Sequence, residues 1–191
     1  MFDYYAAHCH EYHLQTFHLD PTSFLTPIRT RLSAGARILD VGCGSGRDLL
    51  WLKNRGFHVT GFDRSFEMAT LARTRVECAV IVGDFMVFDF SRFAMDAVLL
   101  VGALVHLPQA QLGKALSNIA AALKEDGLIL LTMKEGSGSS TDRDGRVFQY
   151  WSDEGLRKLL QRRGFHIVHF HRQNSVKNDK DVWLTYVLEM K

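Results

Sequence analysis

The sequence predicts an α/β protein built on a doubly wound, mostly parallel, seven-stranded sheet, with the last strand antiparallel and helices on both faces. Three observations carry this. Apolar runs of strand length alternate with helical patterns along the chain, the order that βαβ units produce. Those runs are nearly continuous in apolar character, as strands buried on both faces are. The last two follow one another with no helix between them, so they cannot both keep the parallel order, which needs a crossover between neighbours.

Each element has a local reason. "ARILDV" (36–41) is the first strand; it runs into glycines and then into "LLWLKNR", a helical pattern. "FHVTGFD" (57–63), rich in strand formers, is the second. "SFEMATLARTR" (65–75) opens on a serine cap and carries Phe66, Ala69, Leu71 and Ala72 on or near one face, so a helix follows. "CAVIVGD" (78–84) and "AMDAVLLVG" (94–102) are the next strands, and "PQAQLGKALSNIAAALK" is a helix with proline at its start. "GLILLTMK" (127–134) is another buried strand, and "SDEGLRKLLQRRG" (152–164) a helix capped by serine and closed by glycine. "FHIVHFH" and "DVWLTYVLEM" alternate like a strand pair. Residues 1–33 and the Gly/Ser-rich "EGSGSSTDRDGR" (135–146) stand outside the alternation, the latter expected to be a flexible loop. The expected organisation is one domain: an N-terminal helical cap (1–33), a core (34–134), a flexible loop and lid (135–151), and a C-terminal helix and strand pair (152–191).

Composition bounds the function. With 191 residues, 47% of them hydrophobic and 23% charged, the chain is long enough for a core without staples and too apolar to be disordered. A formal net charge of +2 argues against a nucleic-acid partner. Three widely spaced cysteines, Cys9, Cys43 and Cys78, do not make a disulfide framework and favour a reducing compartment. The N-terminus lacks a signal-peptide pattern and no apolar run reaches membrane-spanning length. The expectation is a cytoplasmic protein, a monomer or homodimer without a membrane partner.

The most informative stretch is "ILDVGCGSGRDLLWL". Glycine is costly to order, so Gly42, Gly44 and Gly46 imply a backbone path closed to side chains. In open parallel sheets, ligands bind at the carboxyl ends of strands where strand order reverses. The dinucleotide pattern reserves for its third glycine the position held here by Arg47, and the phosphate-loop G-K-[ST] is absent.

D-x-G-x-G-x-G after a first strand resembles class I S-adenosylmethionine-dependent methyltransferases, whose sheet is Rossmann-like. The resemblance covers roughly residues 36–134. "LDVGCGSGRD", holding Asp40, Gly42, Cys43, Gly44, Gly46 and Arg47, looks like the family's cofactor loop. "VTGFDRS" looks like its second-strand end, implying that Asp63, with Arg64 beside it, meets the ribose hydroxyls; Met68 then lies where the family often sets an apolar side chain against adenine. "VGDFMVFDF" resembles the third motif, implying that Asp84 accepts from the adenine amino group while Phe85 packs beside the ring. "MDAVLLVGALVHLP" resembles the fourth strand and the turn lining the transfer site, which puts Leu104 on the cofactor. Taken singly, Asp63 is equally a helix cap and Asp84 a turn residue.

Several residues admit two readings. Arg47, in a first helical turn where the macrodipole disfavours a cation, is either solvated or holds the cofactor's carboxylate or an acceptor anion; tellurite-resistance-type methyltransferases are similar in G-C-G-x-G-R. His106 either takes a proton from the acceptor, as the candidate catalytic residue, or only shapes the pocket. Tyr4, Tyr5 and Tyr12 either cover the site from an N-terminal helix or belong to the core. In "DGRVFQYW" (144–151), similar to a run in small bacterial methyltransferases, Arg146, Phe148 and Tyr150 either face the acceptor or lie in a surface loop with Phe148 and Trp151 tucked in. Lys134 either holds an anionic acceptor or is solvated. In "HCHEYH", His10 and His13 share a helical face without an evident third ligand, so no metal is expected.

Methyl transfer from a sulfonium needs mainly proximity and orientation, so a catalytic base is optional. The absence of [DN]-P-P-[YF] after the fourth strand argues against DNA bases as acceptors. The expected function is methylation of a small-molecule substrate with S-adenosyl-L-methionine as cofactor. The alternative is a non-catalytic module, a sensor or partner subunit, that binds the same cofactor.

Overall fold

The computed structural model describes residues 4–177 and 180–190; residues 1–3 of the expected N-terminal cap lie outside them. Helices α1 (Tyr4–Ala7), α2 (Cys9–Thr16) and α3 (Thr22–Arg29) precede the first strand. The alternating part runs β1 (Arg37–Val41), α4 (Arg47–Lys53), β2 (His58–Asp63), α5 (Phe66–Val76), β3 (Ala79–Val82), β4 (Met95–Val101), α6 (Gln109–Ala120) and β5 (Leu123–Lys134). A hairpin, β6 (Ser139–Thr141) and β7 (Val147–Gln149), then leads to α7 (Asp153–Arg162), β8 (Phe165–Asn174) and β9 (Val182–Met190).

The seven-stranded sheet has the order β3-β2-β1-β4-β5-β9-β8. β1 to β5 pair in parallel, and β9 is antiparallel to both β5 and β8. Strand order reverses between β1 and β4, which opens a crevice above their carboxyl ends.

Side chains on β1 separate by their period of two. Leu39 and Val41 join the core under α6, with Leu100, Leu116, Ile119 and Ile129. Ile38 faces the other way, into a cluster with Phe24, Leu25, Ile28, Leu52, Leu99 and Val187. The expected N-terminal cap is therefore two things: α3 is part of the helical layer on the second face, whereas α1 and α2 lie over the crevice end.

Two expectations change. The helix expected through residue 124 ends at Ala120, and β5 begins at Leu123, because Met95 pairs with Leu123 and its N–H donates to Ala122 O at 2.9 Å. The segment 135–146, expected to be a flexible loop, carries the outgoing strand of a hairpin. Ser139–Thr141 pairs antiparallel with Val147–Gln149, and the Asp142 carboxylate holds the turn by accepting from the amides of Asp144 and Arg146, both at 3.0 Å, and from Arg146 Nε at 2.8 Å. Its polar composition reflects a turn fastened by an aspartate rather than missing structure. No described helix is long and apolar enough to cross a membrane.

The dual role of the N-terminal segment is testable by denaturation. Leu25 is fully buried, so Leu25→Ala should cost about 2–5 kcal/mol, the range for core truncation. Leu14 is 74% exposed, and Leu14→Ala should change stability by less than about 0.5 kcal/mol.

Candidate active site

The glycine loop is fastened to the neighbouring strand end. The amides of Gly42 and Cys43 both donate to Phe62 O, at 2.7 and 3.1 Å. Gly42, Gly44 and Gly46 have φ of +76°, +53° and +90°, all in the left-handed region that glycine tolerates. Their surroundings differ. A Cβ on Gly42 would lie 2.6 Å from Ala103 Cβ, and one on Gly46 would lie 2.6 Å from Val76 Cγ2. A Cβ on Gly44 would meet nothing within 4 Å, because Gly44 faces the crevice. Two of the glycines allow packing, and the middle one leaves backbone open to a ligand.

Asp63, at the end of β2, clamps this loop. One carboxylate oxygen accepts from Gly44 N at 2.8 Å and the other from Ser65 N at 2.9 Å. The side-chain cap of α5 is Ser65, whose Oγ accepts from Met68 N at 3.2 Å. Asp84 Oδ1 accepts from Met86 N at 2.8 Å, an Asx turn, and the residue also borders the crevice.

One cavity of about 1380 Å³ gathers most of the predicted residues. Gly42, Gly44, Arg47, Asp63, Arg64, Met68, Asp84 and Phe85 line it, as do Tyr4, Tyr5, Tyr12, His106, Lys134, Arg146, Phe148 and Tyr150. Four residues expected on the cofactor do not. Leu104 is fully buried in the core beneath α6, since the turn after β4 presents its neighbours Ala103 and Val105 instead. Cys43 packs against α4 and α5, and burial pushes its thiol pKa upward. Gly46 lies under α5. Asp40 is buried on β1, and its Oδ2 finds no hydrogen-bond partner among the described residues. Burial, then the nearby Asp48, drive its pKa well above the ordinary carboxylate range.

Arg47 is not a solvated arginine. Its Nε and Nη2 reach the two oxygens of Asp48 at 2.7 and 3.1 Å, and its guanidinium lies 5.3 Å from the Phe24 ring centre. Lys134 is equally engaged, with Nζ 2.8 Å from Asp181 Oδ2 and 4.2 Å from the Phe148 ring centre.

The far end of the cavity is closed by three chain segments. Gln149 N donates to Val105 O at 2.7 Å, and Gln109 Nε2 to Tyr150 O at 2.7 Å, which binds β7 to the turn after β4. The Arg146 guanidinium, held by Asp142 at 2.7 Å, sits 4.2 Å from the Tyr4 ring centre, joining the hairpin to α1. The third segment is the β8–β9 connection, where Lys177 Nζ donates to Gln15 Oε1 of α2 at 3.1 Å. Gln173, Ser175, Val176, Lys177, Asp181 and Trp183 line the cavity and had no role in the sequence reading. The usable signal was topological: β8 is antiparallel to β9 and hence parallel to β5, so its end reaches the same sheet edge as Lys134. Trp151, expected in the core on the surface-loop reading of this run, is buried there, while Arg146, Phe148 and Tyr150 border the cavity. In "HCHEYH", His13 is buried and His10 exposed, and among the described residues no three His, Cys, Asp or Glu side chains are grouped to hold a metal ion.

Residues 38–127 match the family model of a methyltransferase domain. The chain is 30% identical over 117 residues, 60% of its length and 46% of the relative's, to a dTDP-3-amino-3,6-dideoxy-alpha-D-glucopyranose N,N-dimethyltransferase of Streptomyces fradiae. The chain spans 40% to 46% of the length of three curated relatives that it matches. Its fold superposes on a Burkholderia thailandensis 1,6-didemethyltoxoflavin-N1-methyltransferase crystallised with its substrate and S-adenosylhomocysteine, with a TM-score of 0.77 and 23% identity over 98% of this chain and 84% of that one. A TehB-like S-adenosylmethionine-dependent methyltransferase of Corynebacterium glutamicum gives 0.71 and 23%, over 97% and 99%. The fold is thus that of the class I S-adenosylmethionine-dependent methyltransferases.

The unequal glycines give a stability test. Gly46→Ala, strained in φ and clashing with Val76, should lose more than about 2 kcal/mol in urea unfolding. Gly44→Ala, strained but in open space, should lose about 1–2 kcal/mol.

Proposed function

We propose that the protein methylates a small-molecule acceptor with S-adenosylmethionine, the cofactor resting over the ends of β1, β2 and β3 and the acceptor beneath the hairpin and N-terminal helices. The observation that carries this reading is one continuous cavity joining the Gly44–Asp63 clamp to an aromatic chamber. Its volume of about 1380 Å³ exceeds the roughly 300–1,000 Å³ of a single-ligand pocket, leaving room for cofactor and acceptor together.

The open face of Gly44 and the Asp63 carboxylate bordering the cavity suit a ribose with two vicinal hydroxyls. Asp84 accepts from the adenine amino group, with Met68 and Phe85 against the ring. Arg47 and its Asp48 partner lie at the carboxylate end of the cofactor. When bound, the cofactor supplies a methyl group already activated on a sulfonium. The chain's part is to hold the acceptor in line and keep water out, which Tyr5, Tyr12, Phe148, Tyr150 and Trp183 do from three segments. The enclosure favours a metabolite-sized acceptor over a polymer.

Calorimetry should show binding of S-adenosylmethionine and none of a nicotinamide dinucleotide; the opposite result ends this reading. Asp63→Ala should weaken cofactor binding by about 1.5–3 kcal/mol and, because it frees two backbone donors, lower ligand-free stability by about 1–3 kcal/mol. Amide exchange in residues 4–20 and 139–150 should slow when cofactor is added, as closing segments do; unchanged exchange in both would remove them from the site. Transfer of label from methyl-labelled cofactor to a metabolite extract separates an enzyme from a binding module.

A further inference from the structure

We propose, resting on the methyltransferase reading, that Tyr5 is the catalytic residue that takes the acceptor's proton while passing its own to His106, and that the acceptor is a weakly acidic aromatic alcohol of the phenol class.

Hydrogen-bond direction carries the argument. His106 Nδ1 lies 2.6 Å from Val147 O, and a carbonyl oxygen only accepts, so Nδ1 bears the hydrogen. In the neutral ring Nε2 then holds a lone pair, and it lies 2.7 Å from Tyr5 Oη, which must be the donor. The Phe148 ring, 4.6 Å from the imidazole centre, holds its plane. The pair spans 101 positions of sequence and borders the cavity beside the turn after β4.

The surroundings keep both groups ready. Burial lowers the His106 pKa below its ordinary value, with the Val147 carbonyl opposing and Arg146, Asp142 and Lys134 as the charges facing it. Burial raises the Tyr5 pKa, with Tyr12 and Tyr4 adding to the rise and the nearby Arg146 guanidinium opposing it. At neutral pH the pair is therefore tyrosine O–H and unprotonated Nε2. The Arg146 guanidinium steadies the charge that passes through the phenolic oxygen.

The step balances. The acceptor oxygen forms its bond to the methyl carbon as the carbon–sulfur pair returns to sulfur. The acceptor's proton moves to Tyr5 Oη, and the Tyr5 proton moves to His106 Nε2, leaving an imidazolium that donates to Val147 O and Tyr5. A carboxylate or thiolate has no proton to lose at neutral pH and would leave this pair idle. An aliphatic alcohol is too weak an acid for an imidazole to relieve efficiently. A phenol lies between, and the rings of Tyr4, Phe148, Tyr150 and Trp183 on the wall suit its plane.

The test uses three probes with methyl-labelled cofactor: 4-methoxyphenol, which keeps its proton at neutral pH; 4-nitrophenol, a much stronger acid already ionised in a large fraction of its molecules; and nicotinamide, whose ring nitrogen has none. The expected result is methylation of 4-methoxyphenol. Tyr5→Phe should lower its kcat/KM at least ~100-fold, a loss at least ~10-fold larger than that for 4-nitrophenol. Because the His106 pKa is lowered, activity is full above the ordinary imidazole range and falls about tenfold per pH unit below the folded pKa; His106→Gln removes that limb. Nitrogen NMR of the cofactor-free protein gives a readout without turnover: Nδ1 protonated, Nε2 not. Equal losses for the two phenols in Tyr5→Phe, the opposite tautomer, or cofactor binding with only nicotinamide or no probe labelled would each overturn the proposal. Failure to bind cofactor at all would instead end the methyltransferase reading.

Discussion

The Asp63 carboxylate, receiving the amides of Gly44 and Ser65, is the contact on which the site depends. It joins three things that the chain makes separately: the glycine turn after β1, the end of β2, and the start of α5. Without it the loop's amide at Gly44 has no partner and its left-handed path has less to hold it. With it, the glycine backbone lies open along the crevice where strand order reverses. The same carboxylate is a structural clamp and, in the proposed function, a ligand contact, so a change there would affect both.

Beneath the clamp lies a polar cost. Asp40 is buried, with one oxygen lacking a hydrogen-bond partner among the described residues, close to Asp48 and Arg47. A neutral carboxyl resolves the electrostatic conflict, since two buried carboxylates beside a single arginine would repel. Arg47 accordingly turns to Asp48 and packs over Phe24, an ion pair braced by an aromatic ring in a half-buried place. Local stability has been given up around the first strand where the cavity is built.

The other end of the cavity is assembled from segments distant in sequence. The hairpin is bonded to the turn after β4, α1 reaches it through Tyr5 and Tyr4, and the β8–β9 connection reaches α2. Two cations here are paired with carboxylates, Arg146 with Asp142 and Lys134 with Asp181, while Lys177 donates to the neutral amide of Gln15. Aromatic surface and oriented hydrogen bonds make up much of the rest of this end.

What the sequence determined by itself is local: hydrophobic runs of strand length, serine caps at Ser65 and Ser152, and glycines at left-handed positions all depend on neighbours a few residues away. From these the sheet, the glycine turn after β1 and the acids following β2 and β3 were legible. Leu104 was misplaced because the direction of a side chain in a turn depends on what packs beneath it. The hairpin at 139–149 was hidden because its register rests on Asp142 folding back to Arg146, and polar residues carry no hydrophobic period. Whether Arg47 and Lys134 were solvated depended on Asp48 and Asp181, and the bond between Tyr5 and His106 on chain ends that only the folded sheet brings together. Side-chain partners across long separations are set by tertiary packing, and no spacing in the sequence encodes them.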